Sequence, residues 1–209
     1  AALLVWDGQV AEATGADFSV VGMTTSGQVR LNTLTGAAPD EILAAVTGAD
    51  IQLEAGKAQW TDYAADGVRA EASLHGQDGH ISGPVDIDLT ELSLPQGRAG
   101  QLAVAGDLDW ATEAGFGFAG RVNASKAALA DTFSGSFLSR VSLPAPLTAH
   151  GDSLRAALRR ALSTFDAQAR VSVDIAKAGT RISVQDAASL TAASGLTLAI
   201  TPRAGEAVF

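Results

Sequence analysis

Residues Gly79–Val122 read GHISGPVDIDLTELSLPQGRAGQLAVAGDLDWATEAGFGFAGRV, with apolar residues alternating with small or polar ones almost throughout. Between Gln101 and Trp110, the residues Leu102, Val104, Leu108 and Trp110 share one parity with Gly106. Gln101, Asp107 and Asp109 hold the other. A period of two is the strand period, so this segment is a strand with one oily face and one wet face. Ile81, Val85, Ile87 and Leu89 repeat the pattern before it, set against His80, Ser82, Asp86 and Asp88, and Phe116, Phe118 and Val122 repeat it afterwards. Three successive strands thus carry an apolar face with nothing obvious to cover it.

Working outward, the chain of 209 residues is long enough to bury a core. Its 47% hydrophobic fraction includes only 5% aromatics, so the apolar surface comes from Ala, Val, Leu and Ile. A net charge of −9 excludes a nucleic-acid binder that relies on clustered Lys and Arg, and disfavours charge-driven docking on anionic membranes. Absence of cysteine excludes disulfides, thiolate metal sites and a Cys nucleophile. No apolar run reaches the roughly 18 residues of a spanning helix. The opening AALLVW carries no leader pattern, so a signal or anchor is expected to lie outside this segment of a longer protein.

Before Gly79, short strands are expected at Leu3–Trp6, Val10–Thr14, Phe18–Gly22 and Gln28–Asn32, punctuated by Gly8, Gly15 and Thr24–Gly27. Pro39 suits the first position of a short helix that Gly48 would stop. Strands resume at Asp50–Ala55, Ala58–Tyr63 and Val68–His75, with a hairpin turn over Gly76–Gly79. The parity change between Leu89 and Leu92 predicts a bulge. After Val122, Leu129, Phe133 and Phe137 are spaced four apart and suggest a helix within Lys126–Arg140, although Gly135 and three serines weaken it. Leu143-Pro144-Ala145-Pro146 is the best internal boundary, dividing a β-groove segment with one short helix, 1–143, from an amphipathic helix plus further strands of the same sheet, 144–209, the two being expected to form one continuous domain. The strongest helix spans Asp152–Gln168, capped by Asp152, with an apolar stripe of Leu154, Ala157, Leu158, Ala161, Leu162 and Phe165. Strands at Arg170–Ala176, Thr180–Gln185 and Gly195–Thr201 close the chain.

The motifs that suggest chemistry have simpler readings. Gly115-Phe-Gly117-Phe-Ala-Gly120 matches GxGxxG, but it sits inside an alternating strand rather than between strand and helix, where a pyrophosphate would meet helix N–H groups. Gly151-Asp152-Ser153-Leu154 has the letters of the GDSL esterases, yet no histidine follows His150 to serve as base, and the block reads equally well as a helix start. His75 and His80 flank one hairpin and are expected as solvated imidazoles; Asp86, Asp88, Asp107 and Asp109 are expected on a wet face. No catalytic residue, metal site or cofactor is assigned.

Ten to twelve such strands make a sheet roughly 50–60 Å across, more than two short helices can cover. Leaving the oily face in water is prohibitive at about 1.5–3 kcal/mol per large side chain. The sheet must therefore close as a sandwich, solenoid or barrel, or curl around something apolar. The series GPVDIDLTELSLPQGRAGQLAVAGDLDW and LRAALRRALSTFDAQARVSVDIAKAGTRISV resembles the AsmA-like envelope proteins, in the style of the YdbH type with the TamB type as a relative. The resemblance implies a curled, mainly antiparallel one-sided sheet with short helices packed on it. It also implies phospholipid transport in the bacterial periplasm, an inner-membrane anchor outside this segment and an outer-membrane partner. The expected groove lining is Val85, Ile87, Leu89, Leu102, Val104, Leu108, Phe116, Phe118, Val122, Val171, Val173 and Ile175. The alternative is a structural or adhesive β-solenoid or β-sandwich with no lipid.

Overall fold

A computed structural model of the chain describes residues 1–32, 39–111, 115–140, 150–176, 179–184, 188–192, 195, 197–200 and 207–208. Among these, fourteen strands join in a single sheet: β1 (Ala2–Thr14), β2 (Phe18–Leu31), β3 (Val46–Ala55), β4 (Lys57–Trp60), β5 (Tyr63–Ala65), β6 (Gly67–Gln77), β7 (His80–Leu94), β8 (Gly97–Ala111), β9 (Gly115–Leu129), β10 (Phe165–Ala176), β11 (Gly179–Val184), β12 (Ala188–Ala192), β13 (Thr197–Ile200) and β14 (Ala207–Val208). The helices are α1 (Pro39–Ala45), α2 (Asp131–Arg140) and α3 (Gly151–Ala161). Every strand pairing among the described residues is antiparallel, unlike the stacked parallel coils of a solenoid.

The strand order becomes simple once collinear strands are joined. β3 and β4 run one after the other along β2, and β5 and β6 do so along β7. β11 and β12 share the outer edge of β10, and β14 and β13 lie beyond them. Fourteen strands therefore make ten rungs laid down in chain order, a curled up-and-down meander with β1 at one edge. Alternation dictates this: each rung has one oily face, and a hairpin returns the chain beside its predecessor with that face still on the same side. The β6–β7 turn illustrates the local chemistry. Asp78 and Gly79 both adopt positive φ (53° and 78°), the conformation that a two-residue hairpin matched to strand twist requires.

Several expected boundaries move. Gly8 and Thr24–Gly27 do not break their strands; β1 and β2 pair along nearly their whole length, because the backbone ladder tolerates glycine when a neighbour covers it. Gly48 does not stop a helix but pairs with His75 inside β3. Ala58–Tyr63 is not one strand: Trp60 pairs with Tyr63 around a turn in which Thr61 has φ 49°. Asp152 is not the cap of α3. His150 precedes the helix without a side-chain bond, and the Asp152 carboxylate accepts from Arg155 Nη1 at 3.4 Å. That helix also ends at Ala161 rather than Gln168, because Ser163 Oγ donates to Arg160 O at 2.7 Å and the period-two series Phe165, Ala167, Ala169 begins a strand. The expected helix within Lys126–Arg140 is reduced to α2, the first four of those residues finishing β9. The Leu143–Pro146 boundary lies outside the described residues.

One bulge was expected after Leu89; a whole line of them crosses the sheet. Glu91 (φ 47°) drops out of the β7–β8 ladder, facing Gly100, which drops out of the β8–β9 ladder facing Lys126 (φ 51°). The line continues to β10, where the register shifts between Phe165 and Ala167 and Asp166 Oδ1 accepts from the Lys126 N–H at 2.9 Å. On the other side it passes Asp66, whose N–H donates to Thr90 O at 3.0 Å. It then reaches Gly56, whose N–H donates to Val21 O at 3.0 Å beside Gly22 (φ 63°). At this seam the rungs up to β9 exchange parity: Leu89 gives way to Leu92, Leu102 to Ala99, Ala124 to Ala127, Leu53 and Ala55 to Ala58 and Trp60. β10 does not, since Phe165 and Ala167 share a parity, and its register with β9 shifts there instead. Because the rungs up to β9 exchange together and the β9–β10 register shift absorbs the difference, pairing continues and the oily face never leaves its side.

The buried core lies just beyond the seam. Ala65, Leu92, Ala99, Ala127, Phe165 and Leu190 come from successive rungs and meet Leu162 at the end of α3, with Leu158 packed against the cluster. The Leu129 N–H donates to Leu162 O at 3.1 Å, fixing the helix exit on β9.

Candidate apolar binding face

The twelve expected lining residues fall on one face of four adjacent rungs, in register. Val85, Gly106, Gly120 and Val171 stand side by side, followed by Ile87, Val104, Val122 and Ala169, then by Leu89, Leu102, Ala124 and Ala167. On the far side come Gly83, Leu108, Phe118 and Val173, and finally Ile81, Trp110, Phe116 and Ile175. Eleven of the twelve are half-buried and Ile175 is exposed. Strand register alone brings them together, since equal-length hairpins place residues of like parity opposite one another.

The middle of this wall is built from glycine. A Cβ on Gly106 would stand 2.6 Å from Gly120 Cα and 2.9 Å from Phe118 Cζ, so the Phe118 ring lies over the glycine pair. The ring restores to these bare positions the contact area that they lack. Trp6 does the same for Gly27 on the first two rungs, and its indole Nε1 donates to Thr25 Oγ1 at 3.2 Å. The GxGxxG run is thus part of β9, with no loop to cradle a phosphate.

Three rungs nearer the first edge extend the face beyond the expected set. Phe18, Val20, Ala58, Trp60, Tyr63, Ala65, Val68, Leu89 and Leu92 surround a hollow of about 510 Å³. Trp60 is 69% exposed, the most open of the large apolar side chains among the described residues. Of these residues only Leu89 was expected. The signal for the others is the exchange of parity at Gly22, Gly56 and Asp66, legible only when the rungs are aligned.

The opposite face is polar and laced across rungs. Gln28 Nε2 donates to Asp50 Oδ2 at 2.9 Å, Ser73 Oγ donates to Asp50 Oδ1 at 2.5 Å, and Arg30 Nη2 lies 3.1 Å from Oδ2. The Ser73 and Gln28 bonds, with a smaller part from Arg30, hold the Asp50 carboxyl below the usual carboxylate range. Arg69 Nη2 meets Glu71 Oε1 at 2.6 Å, and His80 Nε2 lies 2.8 Å from Asp109 Oδ2. His75 and His80 are exposed on this face beside their hairpin. Among the described residues no three His, Cys, Asp or Glu side chains gather as metal ligands.

The two faces differ in what they offer. The polar one is satisfied by its own ladders and water; the apolar one presents hydrocarbon and aromatic area with no proton donor or acceptor among the twelve residues. The molecule exposes 13267 Å², against about 9,000 Å² for a compact monomer of its 21.1 kDa. Compared with known protein families, characterised proteins and solved structures, the chain matches none of them.

Proposed function

We propose that this chain is a segment of a periplasmic groove that shields phospholipid acyl chains on their way between the inner and outer membranes. One observation carries the reading: a contiguous, in-register apolar face spans successive rungs, and its twelve expected lining residues are half-buried or exposed, none of them buried. A face of this extent is far larger than the scattered apolar exposure of soluble monomers. Its chemistry suits hydrocarbon, which asks for area and no hydrogen bonds. The mechanism is passive. Half-buried Val, Leu, Ile and Phe lower the cost of holding a tail in water by about 0.8 kcal/mol per shielded CH₂, while the headgroup stays at the open side. The setting and the membrane anchor follow from the likeness to AsmA-like envelope proteins in the phrases quoted above.

The test is native purification followed by mass spectrometry of extracted lipid. Phospholipid in stoichiometric amount is the expected result. A lipid-free protein, together with a compact scattering profile, would overturn the proposal.

A further inference from the structure

The apolar face is not uniformly open along its length. Ala65 and Leu92 border the 510 Å³ hollow on rungs two to five and also belong to the buried cluster that continues through Ala99 and Ala127 to Leu162. On the later rungs α3 therefore fills the trough with Leu158 and Leu162, whereas on the earlier rungs no described residue does. The hollow is of the size that small-molecule sites have. Its charge selects its occupant. No lining side chain is charged, and its polar side-chain groups are Gln59, the Tyr63 hydroxyl and the Trp60 indole N–H. A headgroup buried there would lose its water without finding partners, while a hydrocarbon tail would not. Trp60 and Tyr63 stand exposed at one end, where amphipathic rings suit a boundary between hydrocarbon and water.

We infer that this hollow seats a single acyl chain of an amphiphile, which enters past Trp60 and Tyr63 and is stopped toward Leu92 by helix α3. The segment then holds a tail at a fixed depth instead of passing it straight through. This rests on the groove reading, and the experiment separates the two. Trp6, Trp60 and Trp110 are the only tryptophans, and the last two report on opposite sides of the seam. Two variants of the full chain are needed, one carrying Trp6→Phe and Trp110→Phe, the other Trp6→Phe and Trp60→Phe. Each is titrated with stearic acid bearing a nitroxide near the carboxyl or at the methyl end, and with vesicles of phosphatidylcholine labelled at the same two places.

Trp60 emission is expected to be lost to the label near the carboxyl more than to the methyl-end label, with Trp110 emission retained. Fatty acid alone, or phosphatidylcholine as well, identifies the source of the tail. Ala58→Phe and the milder Ala58→Leu should abolish the loss while circular dichroism stays that of a sheet. Quenching of Trp110 without Trp60 would overturn the seat and leave the groove standing. Quenching of neither, with no lipid recovered from the native protein, would overturn both. Trp60 emission that shifts with protein concentration in the absence of lipid would assign the hollow to a second copy of the chain and overturn the seat.

Discussion

Glu91 and Lys126 take a left-handed backbone conformation inside long strands, where a side chain has a steric cost. They tolerate it because the extra residue lets Leu89 and Leu92, or Ala124 and Ala127, face the same side. Glu91→Val places a β-branched side chain at that φ, and a loss of roughly 1–2 kcal/mol in urea unfolding is expected. Glu91→Gly is expected to stay close to wild type, since relief of strain offsets the greater freedom of the unfolded chain. Asp50 tests the other face. Its carboxyl is held below the ordinary 3.8 by Ser73 and Gln28, so its contribution to stability is present above that value and fades as pH falls through the folded-state value. Asp50→Asn should flatten the acid limb of a stability–pH curve by lowering stability at neutral pH, with the difference from wild type vanishing in acid.

At the scale of elements, the hairpins do the organising and α3 does the closing. Leu162 is 7% exposed among residues from six rungs, so Leu162→Ala should cost about 2–5 kcal/mol in thermal or denaturant unfolding. Gly106→Val directs a side chain into Gly120 and the Phe118 ring, and overpacking of about 1–3 kcal/mol is expected by the same measurement. Helix propensity and alternation compete where both patterns fit. Leu154, Leu158, Leu162 and Phe165 are spaced for a helix, while Phe165, Ala167 and Ala169 are spaced for a strand. The strand prevails from Phe165 because β9 and β12 are there to pair with it on both edges.

For the molecule as a whole, the open face sets the predictions. A compact domain of this length has a radius of gyration of about 17 Å, and X-ray scattering should return a distinctly larger value. Val104 is half-buried in the wall and apart from the buried cluster, so Val104→Asp should leave the circular dichroism of the sheet intact while removing co-purified lipid. Unimpaired lipid recovery would take Val104 out of the tail's path.

Alternation along Gly79–Val122 and again from Val171 was enough, by itself, to establish strands, their oily side and the residues that share it. Each of those properties depends only on which parity a side chain occupies. The sequence also carried the Asp78-Gly79 turn and one bulge, because both rest on local backbone preferences. Tertiary structure alone decided that the bulges align into a seam, that Phe165 leaves the helix for the sheet, and that Leu162 closes part of the trough while the hollow beside Trp60 stays open. These outcomes depend on register between rungs and on contacts between residues far apart in the chain, and no local pattern encodes either.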